Sequence, residues 1–357
     1  MKLVHVETGQ HLYGGAQQVA YLLEGLTARG IDNLLVCPPG AAIGAHFAGS
    51  AVKVVELRCG GDADLGFVPR LARVLREQQP DLVHLHSRRG ADVLGGVAAK
   101  IAGIPALLSR RVDNAENPWW ARRKYRLYAR IICISEGIAA VLRGEGVDAG
   151  RIRVVRSAVQ AAPWRRPESR EAFCAEFNVD RDALIIGVVA QLIERKGHRV
   201  LFEALRGLQT THKLALVIFG QGALRAALES EAASLPLPVR FAGFRADLPR
   251  WLGCLDLLVH PALMEGLGVS LLQASAASVA IIASRAGGMP EAIRDGLNGL
   301  LVAPGDSAAL GLAIGRLASD AGLRHELGAA GARLIDAEFS TAAMIEGNLA
   351  VYRELTP

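Results

Sequence analysis

The chain has few aromatic side chains, few cysteines and no long uncharged stretch, and each shortage excludes something. Phe, Trp and Tyr make up 5% of its 357 residues, too little for a platform on which single-stranded nucleic acid would stack. The five cysteines, Cys37, Cys59, Cys133, Cys174 and Cys254, are scattered and form no C-x-x-C pair, so neither a disulfide framework nor a zinc knuckle is implied. No run approaches the ~18–20 apolar residues of a membrane span. Glu7 interrupts the N-terminal segment before a signal-peptide core can form. A cytoplasmic protein without a nucleic-acid partner is expected.

What is present is globular: 51% hydrophobic and 21% charged residues. At roughly 100–200 residues per domain, the length predicts two domains. The net charge of +5 is unevenly spread: residues 1–160 hold 21 Lys/Arg against 14 Asp/Glu, and the remainder 19 against 21. Short apolar runs at Lys2–Val6, 33–37, 52–57, Leu82–Leu85, 106–109, 131–134 and 152–155 alternate with amphipathic stretches, which predicts a parallel sheet flanked by helices. The proline-containing segment 157–170 has no usable period and is expected to be a linker. The alternation then restarts, with strands at 184–190, Leu214–Phe219, 239–242, 257–259, 280–283 and 299–302. Two doubly wound α/β domains, 1–160 and 161–340, are predicted, with a final helix over about 341–354.

Several segments can carry chemistry. Leu12 to Gln18 follows the first strand and opens a helix, and Gly14–Gly15 lets an anion approach exposed N–H groups. It is not G-x-G-x-x-G, and no acid ends the second strand to hold a ribose, which argues against a dinucleotide oxidoreductase. A tight strand–helix turn would also account for the glycines. His84 and His86 point to one side of the fourth strand, at the end where open α/β sheets bind ligands. Without a third ligand evident from spacing they make a poor metal site, and His86 is expected to be functional with His84 structural. Asp62-Ala63-Asp64 resembles a metal-holding D-x-D, yet no strand leads into it, and no metal is expected. Between 110 and 130 stand seven Lys/Arg and two acids, with Trp119, Trp120, Tyr125 and Tyr128 interleaved. That mixture suits an anionic membrane surface, although a solvated helix with inward-packed aromatics fits it equally.

In the second half, Gln191 to His198 brings Arg195 and Lys196 to a strand–helix junction, where they can neutralise a diphosphate. Gly220-x-Gly222 could admit a nucleotide. Glu265 stands in the glycine-rich loop 265–268, where its carboxylate can accept sugar hydroxyls and the N–H groups can meet phosphate. Gln273 follows on the next helix.

Taken in order, Gly14–Gly15, His86, Lys196–Gly197, Gly220-x-Gly222, Glu265-Gly266-x-Gly268, Gly287-Gly288-Met289-Pro290-Glu291 and Asp295-Gly296-x-Asn298-Gly299 resemble glycosyltransferase family 4, the retaining enzymes of the GT-B fold. The resemblance implies two Rossmann-like domains across a cleft, the first holding the acceptor and the second a nucleotide diphosphate-sugar. The final segment 341–357 would cross back to the first domain. It further implies that Gly14, Gly15, Arg195, Lys196, Leu267 and Gly268 meet the diphosphate, and that Glu265, Gly266 and Gln273 hold the sugar and ribose. Gly220, Gly222 and Phe244 would lie by the nucleotide, His86 near the reacting sugar, and no metal or other cofactor would be needed. A lipid-linked glycan, as in lipopolysaccharide or exopolysaccharide biosynthesis, is the expected acceptor. Two positions depart from the family: Gln191 stands where arginine is usual, and Gln273 replaces a second glutamate. They keep open a nucleotide-sugar-binding module without turnover. A same-fold epimerase is the other alternative, with only Glu116 and Asp113 as first-domain candidates for its acid/base carboxylates.

Overall fold

The computed structural model describes residues 1–12, 14–86 and 90–356. The chain divides into two compact units, Met1–Ala158 together with Thr341–Pro357, and Val159–Ser340. The first is built on seven parallel strands, β1 (Lys2–Val6), β2 (Asp32–Cys37), β3 (Lys53–Glu56), β4 (Leu82–Leu85), β5 (Ala106–Arg110), β6 (Arg130–Cys133) and β7 (Ile152–Val154). They lie in the order β3-β2-β1-β4-β5-β6-β7. The second unit carries β8 (Leu184–Val189), β9 (Leu214–Phe219), β10 (Val239–Gly243), β11 (Leu257–His260), β12 (Ala280–Ser284) and β13 (Leu300–Val302). Its parallel order is β10-β9-β8-β11-β12-β13.

Strands covered on both faces must be apolar throughout, and every residue of β9 is buried. Each sheet reverses direction once, at β1/β4 and at β8/β11. Loops leaving the C-terminal ends of those strands diverge there and open a crevice. The Gly14–Gly15 turn and His86 thus share one switch point, and the Lys196 and Glu265 loops share the other.

In the first unit, Leu3, Leu82, Leu107 and Ile132 from neighbouring strands pack with Leu22 and Leu26 of the Gly14–Thr27 helix. Met344, Ile345, Leu349 and Tyr352 of the Thr341–Arg353 helix complete the cluster. Burying such side chains stabilises by about 1.5–3 kcal/mol each, which ties the end of the chain to its beginning. In the second unit, Ile186, Val188, Leu216, Ile218, Val259 and Ile282 pack against Leu201, Leu205, Leu310 and Ile314 from the helices.

Segment 157–170 is more ordered than a linker. Val159 bridges to Ser340, Ala162–Arg165 forms a 3-10 turn, and Trp164 is buried. Pro163 sits at the start of that turn, where its missing N–H costs nothing. The helices Ala42–His46, Pro118–Tyr125 and Arg170–Phe177 give no clear apolar period. Asn117 and Ser169 cap the last two, accepting backbone N–H bonds at their first turns.

Candidate functional site

In the second unit, Gly197 adopts φ +68°, and a Cβ there would lie 2.0 Å from the carbonyl oxygen of Pro261. Only glycine permits both the turn and that contact, which holds the Lys196 loop against the loop after β11. Leu263 N–H also donates to the Arg195 carbonyl at 2.8 Å. As a result Lys196 Nζ donates to Glu265 Oε2, an ion pair between two largely buried side chains. His260 Nε2 lies 3.1 Å from the same oxygen, Ser270 Oγ lies 3.4 Å from His260 Nδ1, and Gly266 N–H donates to Glu265 Oε1 at 3.2 Å. Burial opposes the Glu265 charge, but the His260 and Lys196 donors outweigh it and hold the carboxyl well below its usual range. Burial lowers the pKa of His260 and, with nearby His260 and Lys196, brings His198 to about 4. Both rings are therefore neutral at pH 7. His260 belongs to no expected site, although its place at the end of β11 was a usable signal.

Arg195 and Gln191 are exposed, and Gln273 is half-buried on the Val269–Ala276 helix. Gly268, at φ +88°, starts that helix directly after the buried Leu267. Phe244 is 55% exposed, an unusual position for a phenylalanine. Gly220 and Gly222 have a simpler explanation than a nucleotide. Added Cβ atoms there would meet Ala190 O at 1.9 Å and Leu192 O at 2.4 Å, so their smallness serves the chain's own packing. A separate groove of about 320 Å³, lined by Leu205, Lys213 and Pro238 among others, lies at the opposite ends of the strands.

In the first unit the sheet order supplies what spacing did not, since β1 beside β4 sets His5 opposite His84. His5, His84 and His86 are all buried, with ligand-capable nitrogens within 4.8 Å of one another. His86 Nε2 lies 3.0 Å from His5 Nδ1, while Tyr352 Oη and Ser109 Oγ take the two nitrogens of His84 at 2.7 and 2.9 Å. Arg111 Nη2 lies 3.4 Å from His86 Nδ1, and its side chain runs beside Gly15. Burial keeps all three imidazoles neutral, bringing His5 to about 4, and Arg111 further lowers His84 and His86. The trio thus has the composition of a metal site, but His84 is fully engaged and a guanidinium stands beside His86. Tyr13, within the Leu12–Gln18 segment, and residues 87–89, which follow His86, lie outside the described residues.

Asp62 accepts from Gly90 N–H at 2.7 Å, whereas Asp64 pairs with Arg70 at 2.6 Å, so the D-x-D carboxylates serve separate turns. Glu116 is held by Lys124 at 2.7 Å, Arg110 at 3.4 Å and Tyr125 at 3.1 Å. Burial opposes its charge, but these donors prevail and lower its pKa. The basic stretch divides. Tyr125 and Tyr128 are buried, while Trp119 and Trp120 are 62% and 45% exposed. Arg130 pairs with Glu354, but among the described residues no carboxylate pairs with Arg122, Arg123 or Arg126. Among the described residues, no helix is long and apolar enough to cross a membrane.

Two all-parallel, doubly wound units, each with polar side chains gathered at its switch point, define a GT-B protein. Residues 13–158 match the glycosyl transferase 4-like domain, and residues 169–334 match the glycosyl transferases group 1 family. The chain belongs to the group 1, family 4 glycosyltransferases. It is 25% identical to the lipopolysaccharide core biosynthesis glycosyltransferase LpsE of Rhizobium meliloti, over 98% of each chain. LpsD of the same organism, also named for core biosynthesis, is 27% identical over 99% of this chain and 98% of its own. The structure of Anabaena Alr3699/HepE in complex with UDP and glucose superposes with a TM-score of 0.88 at 18% identity, covering 99% of this chain and 100% of that one.

Proposed function

We propose that the protein transfers a sugar, with retention of configuration, from a nucleotide diphosphate-sugar to a hydroxyl of a lipopolysaccharide-type, lipid-linked glycan. The observation that carries this reading is the buried Lys196–Glu265–His260 cluster at the second switch point. Lys196 and Arg195 neutralise the departing diphosphate, aided by the N–H groups of Leu267 and Gly268 and by Gly14 and Gly15. Glu265 and Gly266 hold the donor sugar, Gln273 the ribose, and Phe244 lies by the base. His86 lies near the reacting sugar. The second unit takes the donor and the first the acceptor. With these cations in place the diphosphate needs no metal, so turnover is expected to survive chelation by EDTA. The likeness to LpsE and LpsD supports a core-type acceptor. The test is a panel of UDP-, GDP-, ADP- and TDP-sugars without metal. One of them is expected to raise the melting temperature and then to be slowly hydrolysed. If none binds, the donor reading is lost. Binding without turnover across core acceptors would favour the module reading, which rests on Gln191 and Gln273. The epimerase reading is left with Asp113, because Glu116 is already bound by three partners.

The exposed Trp119 and Trp120, with the uncompensated Arg122, Arg123 and Arg126, support docking on the anionic cytoplasmic face of a membrane. Vesicles rich in anionic lipid are expected to float the protein and neutral vesicles to leave it behind. Equal recovery from both would remove this part.

A further inference from the structure

Lys196 and Glu265, the two groups assigned to opposite ends of the donor, are bound to each other. While that pair stands, one Nζ–H and Oε2 are committed to each other, so a ligand that draws either group away competes with it. Glu265 has two other donors, His260 Nε2–H on Oε2 and Gly266 N–H on Oε1. His260 is fixed in that role, because its ring is 2% exposed and its Nδ1 faces the Ser270 hydroxyl. Among the described residues Lys196 bonds no side-chain acceptor but Glu265, whereas Glu265 keeps two other donors, so Lys196 is the member a ligand can draw away.

We infer that Lys196 and Glu265 form a resting ion pair that the donor must exchange, with His260 the positioning residue that keeps the carboxylate aimed once Lys196 leaves. The inference rests on the donor reading above. A diphosphate alone takes Lys196 and strips a partner from a buried carboxylate, which is unfavourable. A complete donor also returns hydroxyls to Glu265, so the exchange favours the intact nucleotide-sugar over its diphosphate product.

The sign of one substitution tests this. In Glu265→Gln the lysine loses its counter-charge but keeps a similar shape beside it. Inorganic pyrophosphate, measured by calorimetry on the full chain at pH 7, is expected to bind about tenfold more tightly than to the wild type, since a buried unpaired cation favours an anion. His260→Ala is expected to act oppositely, weakening pyrophosphate several-fold, with His260→Gln restoring it by returning an N–H to the carboxylate. In the Glu265→Gln background the His260 substitution should have no effect on pyrophosphate, because there is no carboxylate to hold. A merely structural His260 would weaken binding equally in both backgrounds. Unchanged or weaker pyrophosphate binding by Glu265→Gln, with the wild type still binding, overturns the exchange and leaves the donor reading standing. No binding by either protein overturns the exchange, and the donor reading then stands or falls on the nucleotide-sugar panel. If His260→Ala does not fold, the isosteric Glu265→Gln decides alone.

Discussion

Both units place buried histidines at the switch point of a parallel sheet, yet the two clusters differ in what their carboxylate faces. Around His260 stands a carboxylate, so the cluster carries both an anion and a cation. Around His86 stands Arg111, on whose charge the buried Glu7 acts, so there the carboxylate works on the cation and not on the rings. Desolvation acts alike in both places, holding the imidazoles uncharged. The comparison teaches that histidine at a strand end is a weak guide to chemistry by itself. What the ring can do is set by the charge it faces.

The largest expected effect falls on the charged cluster. Lys196→Ala and Glu265→Ala should each lower turnover by more than ~100-fold while the melting curve still shows a folded protein, as expected for removal of one electrostatic contact to the transition state. His86→Ala should cost far less, on the order of tenfold, because a neutral ring bound to His5 and Arg111 offers less to a developing charge. Steady-state rates with the donor found in the sugar panel would decide. A His86 variant as inactive as the Lys196 variant would erase the distinction between the clusters.

Acid should separate the two units. His5 is near 4 in the folded chain against 6.5 when unfolded. Above pH 6.5 both states are neutral and the group contributes nothing to the pH dependence. Between 6.5 and 4 the unfolded chain binds a proton that the folded chain refuses, so stability falls as pH falls, and the loss saturates below about 4. At about 1.4 kcal/mol per unit, such a ring costs on the order of 3 kcal/mol by pH 4. In the first unit burial lowers His84 and His86 in the same direction; the second buries His198 and His260, the latter supported by Glu265. Hydrogen exchange corrected for intrinsic rate, compared at pH 7 and pH 5, should show β1 and β4 losing protection before β8 and β11. The reverse order would mean that the histidine trio is not what limits the first unit.

The strands were legible because a doubly covered parallel strand must be apolar along its whole length. The run at 214–219 matches β9 to the residue, and most other strand ends differ by only one or two. The Lys196 and Glu265 loops were legible as glycine-rich strand–helix junctions, but their meeting was not, since it depends on β8 lying beside β11. The same holds for His5, which is 81 residues from His86 and reaches it only through the pairing of β1 with β4. That contact was within reach of the expected doubly wound order, in which the first strand sits at the switch. The Pro118–Tyr125 helix was only one of two equal readings of the basic stretch, for another reason. It buries only Ala121, Lys124 and Tyr125, and a lysine among the buried positions erases the apolar period. Lys124 is there for its ion pairs with Asp92 and Glu116, a charge network that composition registers merely as basic.

The smallest effect tests whether the neutral cluster is only architecture. Tyr352, on the final helix, is fully buried, and its hydroxyl lies 2.7 Å from His84 Nδ1. A buried hydroxyl needs an acceptor, so Tyr352 donates to Nδ1 and His84 Nε2–H donates to Ser109 Oγ. Tyr352→Phe removes the donor and leaves Nδ1 buried without a partner, at a cost of about 1–3 kcal/mol. Denaturant melts should show that loss in the first unit. If the trio is architectural, the turnover of the folded variant, and its dependence on pH, should be unchanged. His84 and His86 have ring centroids 3.9 Å apart, so a proton arrangement shared between them would respond to the new freedom of His84. A pH–rate profile that moves in Tyr352→Phe, and returns when Ser109 is also removed, would turn the first unit's histidines from packing into machinery.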